Sequence, residues 1–328
     1  MSKTDQLSAQ VLEIDCASEV EKITQGIRNI LRQDIRKRGL VIAISGGVDS
    51  AVCAALCVKA VGVKKVFGLL LPERDSASIS TLRGKQLADQ LGIDYAVQDI
   101  APTLEAIGCY RERDEAIRRV IPEYAEAWKN KIVIAGGLEG AVNHFNLIVQ
   151  LPNGEQKEAE LRINEYLQIV ASTNYKQRIR KTVEYYHADR LNYAVIGTPN
   201  RLEYDQGFFV KNGDGSADIK PIAHLYKTQV YSLAKYFQLP EEICTAKPST
   251  DTYSLSQGQD EFYFGLTYDK MDLALWAYNN NISEKELANC LEVDNSVAEL
   301  IYKDIEAKRR TTRHLHLSAL LIENFQLP

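Results

Sequence analysis

The chain has 328 residues, 45% of them hydrophobic and 25% charged, with a formal net charge of −5. That is the make-up of an ordinary soluble protein with room for one large α/β domain or two small ones. The mild acidity gives no electrostatic ground for a nucleic-acid or anionic-membrane partner, either of which calls for a clustered basic face. No apolar run approaches roughly 18 residues, and the start, MSKTDQLSAQ, lacks a basic stretch followed by an apolar one, so a cytoplasmic protein without a membrane span is expected.

In chain order, Val20, Ile23, Ile27, Ile30 and Leu31 recur at helical spacing and predict a helix that stops at Gly39. VIAI (41–44) is a short apolar run of buried-strand type that ends in SGG, and a second helix is expected over 49–61. KKVFGLLLP (64–72) reads as strand, TLRGKQLADQLG as helix, and IDYAVQDI as strand again. Alternating strands and helices with short connections predict a doubly wound, mostly parallel sheet with helices on both faces. Residues 101–130 read as charged helix, and HFNLIVQLPNGEQKEAELRI alternates around Asn153-Gly154, a hairpin signal. YKQRIRKTVEYYHADRL is expected to be helical, NYAVIGT (192–198) a buried strand, and KTQVYSLAKYFQLP a helix stopped by Pro240. From about residue 268 the chain reads as a helical tail. The six cysteines are scattered without a C-x-x-C pair, so neither a zinc knuckle nor a redox couple is indicated, and Cys53 and Cys57 are expected to be buried thiols.

The most informative hexapeptide is Ser45-Gly46-Gly47-Val48-Asp49-Ser50, after one strand and before a helix. Adjacent glycines allow left-handed backbone, so successive amides can converge on an anion beside the positive end of the helix dipole. Ser45 and Ser50 can add hydroxyl donors. A carboxylate there, Asp49, would repel phosphate unless a divalent cation bridges the two, as Mg²⁺ does. A plain turn between strand and helix also uses paired glycines; the flanking serines and the aspartate favour the phosphate reading. No lysine follows the glycines, and G-x-G-x-x-G is absent, which argues against P-loop phosphoryl transfer and against a dinucleotide oxidoreductase.

This hexapeptide resembles the SGGxDS signature of the N-type ATP pyrophosphatases, whose loop grips departing pyrophosphate. The second half, with Gly197-Thr198-Pro199-Asn200-Arg201-Leu202-Glu203, then Gly207 to Asp218, then Pro221-Ile222 and Leu225 to Val230, is similar to the ammonia-dependent NAD synthetase family. The likeness runs in register from Asn174 to Tyr268-Asp269 and, with the first half, covers most of the chain. It implies one domain over 1–328 and ATP-dependent amidation of deamido-NAD by ammonia, with release of AMP and pyrophosphate. By resemblance, Ser45 to Ser50, Thr198, Lys227 and Ser249 contact ATP, and Asp49 and Lys227 are catalytic. Asp49 and Glu203 hold Mg²⁺, while Asn174, Arg178, Lys211, Asp218 and His314 fall on the substrate side. A homodimer is implied as well. Taken alone, the chemistry favours Lys211 and Lys227 as phosphate-site cations over solvated lysines, whereas Glu203 would read as an ordinary loop ion pair. Arg178 and Arg180 are two apart, so at most one is expected to point into a given site.

Three features depart from the family pattern. Residues 108–160 are longer than compact members need. Arg313-His314-Leu315-His316 replaces a His-Lys-Arg stretch, so that Leu315 stands where a lysine would. The length leaves no room for a glutaminase domain, so free ammonia, or ammonia from a separate glutaminase, is expected. The alternative from the same class is a ligase amidating a different acid. A tRNA-modifying enzyme with the same loop would need a basic groove, which the composition does not suggest.

Overall fold

The computed structural model describes residues 7–135, 144–246, 253–255 and 266–323. Helix α1 (Cys16–Asn29) starts where Asp15 accepts the amides of Ala17 and Ser18, and it widens into a π turn over Ile30–Asp34, short of Gly39. Then follow β1 (Leu40–Ala43), α2 (Val48–Val61), β2 (Val66–Leu70), α3 (Ser78–Leu91) and β3 (Asp94–Val97), as the alternating pattern predicts. Next come α4 (Ala101–Ala106), α5 (Cys109–Val120), β4 (Lys129–Ala135), β5 (His144–Gln150) and β6 (Gln156–Glu160). The remainder is α6 (Ile163–Leu191), β7 (Ala194–Ile196), α7 (Arg201–Gln206), α8 (Lys227–Tyr236), α9 (Glu241–Cys244), α10 (Tyr268–Asn279), α11 (Glu284–Leu291) and α12 (Asn295–His316).

The main sheet is parallel with strand order β3-β2-β1-β7. Because successive side chains point to opposite faces, Leu40 and Ile42 enter one core with α1, α2 and α8. Val41, Leu69 and Val195 enter the other, with residues of α4, α5 and α6. Both faces of β1 and β7 are covered, which is why these strands read as continuous apolar runs rather than as alternation. The chain steps outward from β1 to β3 and then returns to lay β7 on the other side of β1. This reversal opens a crevice at the carboxyl ends of β1 and β7, the place where open α/β sheets take ligands.

Strands β5 and β6 pair antiparallel around the turn at Gly154, whose φ is +89°, so the hairpin stands where the sequence marks it. A third strand, β4, pairs with β5 from a stretch read as helix up to residue 130. Helix α6 is longer than the segment 175–191, beginning at Ile163. The hydroxyls of Ser172 and Thr173 in its earlier part bond back to carbonyls one turn before, at 2.8 Å each. The C-terminal helices close over their own apolar cluster, with Leu275, Leu287 and Ile301 at its centre.

Candidate active site

The loop between β1 and α2 is held by its own hydrogen bonds. Ser45 N donates to Ser50 Oγ (3.2 Å), Ser50 Oγ donates to Gly47 O (2.9 Å), and the two serine hydroxyls lie 3.1 Å apart. Gly46 has φ +81°, and a Cβ there would sit 2.5 Å from Ser80 O. Gly47 has φ −93°, where a Cβ would meet only Ser45 Oγ at 3.4 Å. One glycine of the pair is therefore required by the backbone, not both. Among the described residues no side chain caps α2, so its first amides face the crevice with the helix dipole behind them.

Asp49, on the first turn of α2, reaches two partners from far along the chain. Its Oδ1 accepts from Asn200 Nδ2 (3.1 Å), and its Oδ2 pairs with Lys227 Nζ. Asn200 also joins Glu203: its backbone N–H donates to Glu203 Oε2 and its Oδ1 accepts from Glu203 N, both at 3.1 Å, forming the capping box of α7. One asparagine thus holds both carboxylates. Burial, and then the Asp49 charge, push the Glu203 carboxyl up to about 8 against the opposing pull of Lys227. Burial disfavours the Lys227 ammonium, but Asp49 and Glu203 outweigh it and raise its pKa. These groups meet because β1 pairs with β7, Ile42 beside Ile196, and α8 packs on α2.

The crevice widens into a cleft of about 1150 Å³. Ser45 to Ser50, Thr198, Glu203 and Lys227 line its end at the β1–α2 loop, and Asn174, Arg178, Lys211, His314 and Leu315 line it further out. Arg178 Nε donates to Lys211 O (3.3 Å), and Lys211 Nζ donates to the carbonyls of His314 and Leu317, both at 3.0 Å. That ammonium ties the glycine-rich loop to the end of α12. Asp218 is not among the lining residues: its carboxylate accepts from Val195 N (2.7 Å) and Tyr185 Oη (3.3 Å), pinning the following segment to β7. Ser249 lies outside the described residues.

Arg180 departs from expectation. It lines the same cleft as Arg178, donating through Nε to Leu71 O (3.3 Å). The cleft spans more than a turn of α6, so two residues on different faces can both reach it. Several groups escaped sequence reasoning. Arg83, one turn into α3, has a buried Nε without a hydrogen-bond partner among the described residues. Phe145 and Tyr166 stack 4.0 Å apart on the outer wall. Behind the loop 72–76, Lys176 binds Glu73 (3.1 Å) and Asp75 (2.6 Å), while Arg113 binds Asp75 (2.6 Å) and Asp114. No motif marks these groups, since the network joins the loop 72–76, α5 and α6.

A family model described as NAD synthase matches residues 19–127 and 145–314, which leaves 128–144 unmatched inside the long 108–160 stretch. The chain is 54% identical to the NH(3)-dependent NAD(+) synthetase of Rhizobium meliloti, over 96% of this chain and 95% of that one. It is 51% identical to its Rhizobium rhizogenes counterpart, over 97% and 96%. In fold it is similar to the solved NMN synthetase of Francisella tularensis, with TM-score 0.67 and 23% identity over 95% of this chain and 100% of that one. It is also similar to the NH3-dependent NAD synthetase of Campylobacter jejuni, with TM-score 0.62 and 22% identity over 94% and 100%. A double-glycine loop at the switch point, two carboxylates on one asparagine and this extent of likeness lead to one statement: the chain belongs to the NAD synthase family.

Proposed function

We propose that this chain amidates deamido-NAD to NAD with ATP and ammonia, through an acyl-adenylate, releasing AMP and pyrophosphate. The observation that carries the reading is the meeting of Asp49, Glu203 and Lys227 around Asn200 at the mouth of the phosphate loop. The amides at the start of α2 and the Lys227 ammonium are preorganised for the negative charge that builds on pyrophosphate as the α-phosphorus is attacked. Attack by the nicotinate carboxylate replaces a poor leaving group with AMP. Ammonia then adds to the acyl carbon, and no side-chain nucleophile is needed.

Mg²⁺ fits the donor set. Two carboxylates face one ammonium, and burial with the Asp49 charge already disfavours a second negative charge on Glu203. Mg²⁺ takes one or two carboxylates with phosphate oxygens, so Asp49 and Glu203 would hold it and it would neutralise the phosphates.

Ser45 to Ser50, Thr198 and Ser249 contact ATP in this reading, and Asn174, Arg178, Lys211, Asp218 and His314 serve the second substrate. Because Asp218 points away from the cleft, it acts there only from a neighbouring copy or after the loop 213–220 moves. A homodimer is part of the proposal: Ile163, Leu167, Tyr175 and Tyr186 stay exposed along α6. The enzyme would work in the cytoplasm, in keeping with six free thiols; no described helix is long and apolar enough to cross a membrane. A ligase for a different acid is the second reading, favoured by Leu315 on the cleft wall.

An assay with deamido-NAD, ATP, Mg²⁺ and ammonium tests the proposal. Wild type forms NAD and AMP, and Asp49→Asn lowers the rate by about a hundredfold or more. ADP in place of AMP would overturn the mechanism, and turnover of another acid with deamido-NAD inert would select the second reading.

A further inference from the structure

A second, open groove of about 640 Å³ lies on the far side of α7 from the loop 45–50. Helix α7 divides the two: Glu203 faces the cleft, while Arg201, Tyr204 and Asp205 face this groove. Helix α12 does the same by its periodicity. Arg309, Arg313 and His316 are spaced i, i+4 and i+7 toward the groove, and Lys308, Thr312 and Leu315 repeat that spacing toward the cleft.

The groove's charge is one-sided in a chain that is acidic overall. Arg201, Lys220, Arg309 and Arg313 line it against one lining carboxylate, Asp205. Arg309 takes most of that carboxylate, with Nε at 2.5 Å and Nη2 at 2.8 Å. Arg201 Nε is left at 3.4 Å from Asp205, buried and without an aligned hydrogen bond. His224 is committed to Glu19 at 2.6 Å. Among the described residues no carboxylate pairs with Lys220 or Arg313. Lys220 Nζ lies 4.9 Å from the Tyr204 ring centroid, and His316 stands edge-on to the same ring. Burial and the neighbouring Lys181 lower the Lys220 pKa, which an anion would reverse.

We infer that this groove is a binding site for a phosphate-bearing small molecule up to the size of a mononucleotide, separate from the cleft. Arginine forks suit phosphate oxygens, and the Tyr204 and His316 rings offer a flat apolar edge beside them. The volume lies within the usual range for small-ligand sites of roughly 300–1,000 Å³. The inference does not depend on which acid the cleft amidates.

The test is histidine-selective NMR on the whole chain, with pyrophosphate and AMP as probes. His316 reports the groove, His314 the cleft, and His187, held by Arg190, serves as a remote reference. Both probes are expected to shift His316 saturably. Arg313→Glu and Lys220→Met, made separately, each weaken that response by about tenfold while His314 still responds. A thermal midpoint within a few degrees of wild type shows that each variant is folded. A His316 signal that stays still while His314 moves places phosphates in the cleft alone and overturns the inference. Equal affinity in wild type and both variants overturns it too, as does a response to polyglutamate but not to either phosphate probe.

Discussion

Gly46 and Gly47 look equivalent in the sequence but differ in what the backbone asks of them. At Gly46 a side chain meets both a left-handed φ of +81° and the Ser80 carbonyl. Gly46→Ala should therefore cost about 1–2 kcal/mol from backbone conformation alone, before the clash is counted. Gly47→Ala, at an ordinary φ, should change stability by less than about 0.5 kcal/mol. Thermal melting of the two variants checks the contrast, and equal losses would show that the loop geometry is misread. Asn200 is the other residue-scale lesson. As helix cap and bridge between the carboxylates, Asn200→Ala should lose about 1 kcal/mol of stability and more than about tenfold in kcat/KM. The sequence displays Asn200 only as one letter within a GTxxxxE pattern, and its double role depends on a contact across 151 residues.

At the scale of elements, the loop 72–76 forms one wall of the cleft, and its shape is kept by charges buried between α5 and α6. Lys176 is 1% exposed and Arg113 4%, with Glu73 and Asp75 as their partners. Removing one member of a buried ion network strands the others, so Arg113→Met should destabilise the protein by about 3–5 kcal/mol. Burial raises the Asp75 pKa, but Lys176 and Arg113 together outweigh it and hold the carboxyl below its ordinary value. A carboxylate lowered in the folded state contributes stability above its unfolded pKa of about 3.9 and loses it as pH falls through the lower folded value. Urea midpoints measured from pH 5 down to pH 2 should fall steeply below about pH 4 in wild type and less steeply in Lys176→Met. Identical slopes would mean that Asp75 is not held by these cations. The α5 end of this network comes from the stretch the sequence marked as long and unexplained, so part of that stretch buttresses the cleft.

For the whole molecule, α6 is the element with most left to cover. If Ile163 and Leu167 lie in a subunit interface, Ile163→Glu with Leu167→Glu should shift the light-scattering mass from two chains to one. A single-chain mass for wild type at micromolar concentration would remove the dimer from the proposal. Most of the parallel sheet and the hairpin at Asn153-Gly154 were legible beforehand, because each depends on side-chain period or turn chemistry within a dozen residues. Strand β4 was not. Its sequence, KNKIVIA, is short and follows a charged helix, and its strand character comes from pairing with β5.

By itself the sequence determined the alternation of strands and helices, the bend after β1 and part of the cleft lining, Ser45 to Ser50, Thr198, Glu203 and Lys227 among it. All of these are carried by local periodicity or by motifs read in one stretch. The tertiary structure alone decided which charges meet: Lys227 with Asp49 across 178 residues, Lys176 with Glu73 across 103, and Arg309 with Asp205 across 104. It also turned Asp218 toward β7 and brought Arg178 and Arg180 into one cleft. The physical reason is common to all of them. A side chain's type fixes the charge it can carry, whereas the partner it finds depends on strand order and helix packing, which no local window contains.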